Sequence, residues 1–204
     1  MITLRHSPTS PYVRKVMMTL IECGLEGSVT LIRTDAWSPE TDLPKDNPLG
    51  KVPALSLGDG TVLYDSPVIC EYLDTLHDGH RLFPAPGPAR WTALRQQALG
   101  DGLNDAAVLR RLELNRPDGE RSQTWADRQA RAVARACDAL EDEAKAGSLP
   151  LTPTIGTLSI LCALGYLDFR FAADDWRQGR PALTAWFEKA AGRDSYRRTA
   201  PPAG

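Results

Sequence analysis

The chain has 204 residues, enough for one large domain or two small ones. Its composition, 42% hydrophobic and 25% charged, is ordinary for a folded protein, and a formal net charge of −2 excludes a general attraction to nucleic acid or to an acidic membrane surface. No apolar run reaches the ~20 residues that a membrane span requires, and residues 1–6 lack the apolar core of a secretory signal. These features predict a cytoplasmic protein with no membrane partner.

The four cysteines are widely spaced and form no Cys-x-x-Cys pair, and no histidine-rich cluster accompanies them. They are Cys23, Cys70, Cys137 and Cys162. This pattern supports neither a disulfide framework nor a zinc site, and we expect reduced core thiols and no metal.

The first third of the chain predicts a β-α-β unit followed by a hairpin and a helix. The expected elements are strands at 2–6, 29–32, 52–57 and 61–64 and helices at 11–23 and 66–76. Gly24 is placed to end the first helix, and Gly58-Asp59-Gly60 is a strong hairpin signal. This order is thioredoxin-like, with the first two strands parallel through a right-handed crossover.

The remainder of the chain shows no strand pattern. Residues 79–88 are dense in Pro and Gly and predict a linker, after which we expect helices at 89–114, 122–146, 153–171 and 181–191. The helix at 153–171 is apolar on most sides and should be central, while Gly100 and Gly102 should permit a bend or a close approach. The tail at 199–204 is expected to be loose or to lie along the surface. The sequence therefore predicts domains at 1–78 and 89–204.

Two short motifs point to a peptide ligand. Val52-Pro53 starts a strand with a residue that donates no backbone hydrogen bond, and a cis bond there would turn the Val52 amide and carbonyl outward to pair with an extended peptide. Asp65-Ser66-Pro67 places a carboxylate and a hydroxyl at a helix start, where free N–H groups favour an anion. The alternatives are a strand-start proline without a ligand and an ordinary helix cap.

Asn-Pro-Leu-Gly-Lys-Val-Pro-Ala-Leu at residues 47–55, followed by Asp-Ser-Pro at 65–67, resembles the glutathione-binding half of the cytosolic glutathione transferases. The likeness covers nearly the whole chain, and residues 165–170 with the near-terminal Arg-Thr-x-Pro-Pro resemble a bacterial subgroup. The resemblance implies an α/β plus all-α fold, with a thioredoxin-like domain and then an all-helical glutathione-transferase domain. It also implies that Val52, beside a cis Pro53, pairs with the cysteinyl part of glutathione, and that Asp65 and Ser66 hold the γ-glutamyl end.

Ser10 precedes Pro11 at the start of the first helix and is by itself an ordinary N-cap. In the resemblance it matches the Ser or Cys beside the glutathione sulfur, where its hydroxyl would donate to the thiolate; capping and catalysis are compatible roles. Thr9 is the second choice of donor, and Trp37 could flank the ligand. Serine in place of cysteine favours conjugation, dehalogenation, isomerisation or peroxide reduction over thiol–disulfide exchange.

The resemblance further implies glutathione as co-substrate, a small apolar electrophile, a homodimer and a role in detoxification. The electrophile pocket is expected between the two domains, with conceivable contributors among which the sequence does not choose: His6, Tyr12, Arg110, Arg111 and Tyr166. Thr157 stands where the family usually carries the Asp of a capping box with Thr154, so this reciprocal cap is expected to be weaker. The alternative is a binding or regulatory protein of the same fold that does not catalyse.

Overall fold

The computed structural model describes residues 1–202 and divides into two compact units. The first unit comprises Met1–Gly87 and the segment that begins at Asp194, and the helical unit comprises Pro88–Arg193. The predicted fold class is confirmed. Ala203 and Gly204, the end of the predicted loose tail, lie outside the described residues.

The elements in chain order are β1 Ile2–His6, α1 Pro11–Glu22, β2 Val29–Arg33, β3 Ala54–Ser56, β4 Val62–Leu63, α2 Ser66–Asp74, α3 Pro88–Leu114, α4 Gln123–Lys145, α5 Ile155–Arg170, α6 Pro181–Ala190 and α7 Asp194–Arg198. Single 3-10 turns occur at Glu26–Ser28, Leu43–Lys45 and Ala172–Asp174. No helix in residues 1–202 is both long enough and apolar enough to cross a membrane.

The sheet of the first unit has the strand order β2-β1-β3-β4. β1 runs parallel to β2 and antiparallel to β3, and β4 pairs antiparallel with β3 at the edge. Leu4 lies opposite Leu55 in the two central strands, and both side chains are fully buried. α1 and α2 pack against each other, so the β-α-β unit, hairpin and helix occur as predicted.

β3 is shorter than the predicted strand at 52–57. Because Pro53 has no N–H to give to the ladder, pairing begins at Ala54, which lies opposite Arg5. The hairpin closes where the Leu57 N–H donates to the Thr61 carbonyl at 2.7 Å. Val52 therefore stands outside the sheet ladder, just before its first paired residue.

α5 is the central helix of the helical unit, and its residues 155–167 are all buried. α3 approaches it so closely at Gly100 that a Cβ there would lie 2.7 Å from the Ser159 carbonyl carbon. Gly102 has open space instead, so the predicted close approach holds at Gly100 alone. The capping box at the start of α5 is formed in both directions, with Thr157 Oγ1 accepting from the Thr154 N–H at 2.9 Å in place of an Asp oxygen.

The C-terminal segment that begins at Asp194 belongs to the first compact unit, although it lies within the predicted helical-domain range 89–204. α7 packs on α1, where the Arg14 guanidinium donates to the Tyr196 carbonyl at 3.0 Å and lies 4.0 Å from the centre of the Tyr196 ring. Ser195 also donates to the Glu22 carboxylate. Long-range contacts, rather than the local pattern of this five-residue helix, decide where the segment lies.

Candidate functional site

Ser10 caps α1 as predicted. Its backbone is extended, Pro11 follows at the first helical position, and the Ser10 hydroxyl oxygen accepts a hydrogen bond from the Val13 N–H at 3.3 Å. Within residues 1–202 the hydroxyl proton of Ser10 has no hydrogen-bond acceptor. The cap therefore holds the oxygen in place while the proton remains available to a ligand.

The Val52-Pro53 bond is cis, as predicted. Neither the N–H nor the carbonyl of Val52 has a hydrogen-bond partner in the described chain, because the residue precedes the β3 ladder. The loop before it is held by buried Asn47, whose side-chain amide donates to the Lys51 carbonyl at 2.7 Å and whose oxygen accepts from the Leu49 N–H at 3.0 Å. Val52 thus presents a free backbone donor and acceptor from a rigid loop.

The start of α2 has no side-chain cap, so Asp65 does not act as an ordinary helix cap. Asp65 occupies the N-cap position after a cis Tyr64-Asp65 bond, but its exposed carboxylate makes no capping hydrogen bond. The next residue, Ser66, is only 1% exposed, and its hydroxyl has no hydrogen-bond partner among the described residues. Together they place a free carboxylate, a free hydroxyl and the unpaired first-turn N–H groups of a helix side by side.

Thr9 and Trp37, the two secondary candidates, also lie in the first unit. Thr9 is half-buried next to the α1 cap, and its hydroxyl has no partner within residues 1–202. Trp37 is 76% exposed in a loop that Asp35 holds, since the Trp37 N–H donates to Asp35 Oδ1 at 2.9 Å. Their part in ligand binding stays a prediction.

Asn47 is the first residue of the 47–55 motif and was not predicted to be a site residue. Its signal was the Asn-Pro-Leu-Gly turn, since Asn side chains readily hydrogen-bond to nearby backbone groups. Its two hydrogen bonds fix the segment that carries Val52, so it acts as a positioning residue.

Of the conceivable electrophile contacts, the structure separates two adjacent arginines on α3. Arg110 pairs with Asp174 and stacks on Phe171, with 4.6 Å from guanidinium to ring centre. Arg111 instead lies near the hydroxyl of buried Tyr166, as does Arg170, which the sequence analysis had not considered. Burial raises the pKa of Tyr166, and the two guanidinium groups act against that rise.

His6, another conceivable contributor, ends β1. Burial, assisted by the charge of Arg33, lowers the pKa of its imidazole. His6 is therefore neutral at physiological pH and adds no positive charge to the first unit.

Three potential metal ligands also come together in the first unit, although their spacing gave no such signal. The ligand atoms of Cys23, Asp74 and His77 all lie within 4.8 Å of one another. Asp74 accepts from the Leu82 N–H at 2.7 Å and the Phe83 N–H at 3.1 Å, and its Oδ1 lies 3.3 Å from His77 Nε2.

Hydrogen bonding accounts for this cluster. His77 Nδ1 accepts from the Gly79 N–H at 3.0 Å, so both ring nitrogens have partners. Burial raises the pKa of Cys23 to about 12, so its thiol is protonated at neutral pH. The group fastens the segment after α2 to the first unit.

The fold and these residues define a class of protein. It has a thioredoxin-like unit followed by a helical unit, and the first unit carries a helix-capping serine, a cis proline and a helix start without a side-chain cap. The family described as glutathione S-transferase, N-terminal domain, matches residues 9–76, and the corresponding C-terminal domain family matches residues 123–189. The chain belongs to the glutathione S-transferase family.

The similarity to individual relatives extends over nearly the whole chain. The uncharacterized GST-like protein YibF of Escherichia coli K12 is 34% identical over 197 residues, which cover 96% of each chain. A crystal structure of a glutathione transferase family member from Pseudomonas fluorescens Pf-5 with bound glutathione is 46% identical, covers 100% of both chains and gives a TM-score of 0.94. Another from that organism, with bound S-(propanoic acid)-glutathione, is 46% identical, covers 99% of this chain and 100% of the other, and gives a TM-score of 0.90.

Proposed function

We propose that this protein is a glutathione transferase that activates the glutathione thiol for attack on a small apolar electrophile. The observation that carries the proposal is the state of Ser10: its oxygen is held by the Val13 N–H, and its proton has no acceptor within the described chain. A hydroxyl fixed in this way can donate to a sulfur anion without reorganising.

The hydrogen-bonding groups that Val52, Asp65 and Ser66 leave unpaired in the described chain match the parts of glutathione. Val52 offers one backbone donor and one acceptor, which suits antiparallel pairing with the cysteinyl residue of an extended peptide. Asp65 offers an uncapped carboxylate to the γ-glutamyl ammonium, while Ser66 offers a hydroxyl and a helix-start N–H to the γ-glutamyl carboxylate. The family members with bound glutathione and a glutathione thioether support this assignment.

Activation requires a lower thiol pKa. A free thiol of pKa about 8.5 is only a few per cent ionised at neutral pH, and each unit of lowering corresponds to about 1.4 kcal/mol of thiolate stabilisation. One hydrogen bond from Ser10 to the thiolate, aided by the positive end of α1, is sufficient for a shift of one to two units, about 1.4–3 kcal/mol. The thiolate then attacks the electrophilic carbon and forms a carbon–sulfur bond, while a leaving group departs with its electron pair or, in an addition, a π bond of the electrophile breaks. Thr9 is the reserve donor, and Trp37 is proposed to flank the ligand.

A homodimer, a cytoplasmic location and a detoxification role complete the proposal, with glutathione as the co-substrate and no metal required. The molar mass in solution, measured by light scattering, tests the dimer: twice the 22.3 kDa of the chain is expected.

The first experiment is a pH titration of the ultraviolet absorbance of bound glutathione thiolate. Wild type should show a thiol pKa at least one unit below that of free glutathione, and Ser10→Ala should keep glutathione binding but lose the shift. Ser10→Thr, which keeps a hydroxyl and a cap, should retain most of it.

Ser122→Ala is the matched control. Ser122 caps α4 with the same geometry, accepting from the Trp125 N–H at 3.2 Å, so its loss should cost a similar ~1 kcal/mol of stability. It should leave the thiol pKa unchanged. Glutathione that binds wild type with an unshifted pKa would make the protein a binding module, and absence of binding would refute the proposed function altogether.

A further inference from the structure

One arginine side chain ties a central strand of the first unit to the loop that follows β2. Arg5 lies in β1, and its Nε donates to a carboxylate oxygen of Asp46 at 2.7 Å. Its two terminal nitrogens donate to the two carboxylate oxygens of Asp42, at 2.8 Å and 3.1 Å. The Arg5 side chain is only 17% exposed. Because the donors of a guanidinium are coplanar, three such bonds fix its orientation and the positions of both carboxylates.

The two aspartates flank a short turn that leads directly into the candidate site. The turn Leu43–Lys45 lies between them, and the Leu43 side chain is fully buried. The Leu43 carbonyl accepts from the Asn47 N–H at 2.9 Å. The turn is therefore held in two ways, by burial of a leucine and by the charge of Arg5. Asn47, which fixes the backbone before Val52, follows it at once.

Arg5 also meets the chain on the far side of Val52. In the β1–β3 ladder its backbone lies opposite Ala54, the residue after cis Pro53. Residues 47–53 are thus enclosed between two attachments to Arg5, through its side chain at Asp46 and through sheet pairing at Ala54. A short segment that is fixed at both ends has few accessible conformations, and releasing one end increases their number.

We propose that Arg5 is a positioning residue for glutathione. By holding Asp46 it fixes residues 47–53 against the β1–β3 ladder, so the unpaired backbone donor and acceptor of Val52 keep the geometry that an extended peptide needs. The inference rests on the proposed transferase function, in which Val52 pairs with the cysteinyl residue of glutathione. Ser10 is held by a separate hydrogen bond at the start of α1, so Arg5 governs affinity for glutathione and not activation of its thiol.

The test measures glutathione affinity by calorimetry, and the pKa of the bound thiol by ultraviolet absorbance at saturating glutathione. Arg5→Gln should bind glutathione about tenfold more weakly than wild type, because binding must then also order residues 47–53. The pKa of the bound thiol should equal that in wild type, which is the reverse of the result expected for Ser10→Ala. Arg5→Lys keeps the charge but lacks the planar donor set, so it should recover only part of the affinity.

Two comparisons separate positioning from a general loss of ion pairs. Arg198→Gln is the matched control, because Arg198 also belongs to the first unit and pairs with two carboxylates, those of Glu26 and Asp194, outside the loop after β2. It should keep wild-type affinity for glutathione. Asp46→Asn should weaken glutathione binding more than Asp42→Asn does, since Asp42 lies further along the chain from the proposed binding backbone and its side chain is 53% exposed against 26%.

Backbone order parameters of the amides in 49–52, measured by NMR relaxation without glutathione, test the same inference independently of binding. In Arg5→Gln they should fall from about 0.85 towards about 0.6, while those of wild type and Arg198→Gln stay high. Unchanged order parameters or unchanged glutathione affinity in Arg5→Gln would overturn the positioning role and show that buried Leu43 holds the loop by itself. If wild type binds no glutathione, the transferase proposal fails; lowered order parameters in Arg5→Gln then still support the hold of Arg5 on this segment, and unchanged ones refute it.

Discussion

Replacing Gly100 by alanine should force apart two closely packed helices of the helical unit. A Cβ at this position would lie 2.7 Å from the Ser159 carbonyl carbon and 2.9 Å from the Ile160 nitrogen. Both are backbone atoms of the buried helix α5, so no side-chain rotation can relieve the contact. Ordinary contacts begin near 3.4 Å, so the two helix backbones would have to separate by about 0.7 Å.

The expected cost follows from two opposing effects. Alanine favours a helix over glycine by about 1 kcal/mol, while overpacking of a close-packed core costs about 1–3 kcal/mol or more. Because the clash here involves main-chain atoms, we expect Gly100→Ala to lower the free energy of unfolding by about 2 kcal/mol. Gly102→Ala is the matched control on the same helix: its Cβ meets nothing within 4 Å, so it should raise the free energy of unfolding by about 0.5–1 kcal/mol.

Urea denaturation followed by far-ultraviolet circular dichroism measures both variants, provided that the slope of free energy with urea concentration is unchanged. The reasoning would be refuted if Gly100→Ala were as stable as Gly102→Ala, since the backbone approach of α3 to α5 would then not limit packing.

Two further predictions concern buried polar groups. Burial raises the pKa of Cys23 to about 12 and that of Cys137 to about 11, above the ordinary 9.0. The two protonated thiols therefore make their full contribution to the free energy of unfolding below pH about 9. As the pH rises further, the free energy of unfolding should fall by up to ~1.4 kcal/mol per pH unit for each thiol. In urea denaturation, Cys23→Ala should show a smaller decrease of this free energy at alkaline pH than wild type. Asp74→Ala should lower the free energy of unfolding by about 2–5 kcal/mol in the same assay, because it leaves two buried N–H groups of the following segment unpaired. Asp78→Ala, at an exposed side chain, is the control and should change the free energy of unfolding by no more than about 0.5 kcal/mol. Equal losses in the two variants would contradict the role of Asp74.

Local signals in the sequence were enough to predict the elements and the positions of the candidate site residues within them. Serine before proline marks a helix start wherever the chain folds, and a proline at a strand start shortens the ladder by the loss of one N–H, so Ser10 and Pro53 could be placed from their neighbours alone. The same local rules left Asp65 with two readings, cap or ligand, and the observed side-chain geometry removed the first.

Other features depended on contacts between residues far apart in the chain. Arg110 and Arg111 are equivalent as neighbours in sequence, but Arg110 meets Asp174, 64 residues away, whereas Arg111 lies near Tyr166. Gly100 and Gly102 differ in the same way, since one faces the α5 backbone and the other open space. α7 joins the first unit through Glu22 and Arg14 on α1. Periodicity and capping are properties of a few adjacent residues, whereas charge pairing and close packing are properties of the folded chain, so only the tertiary structure could decide them.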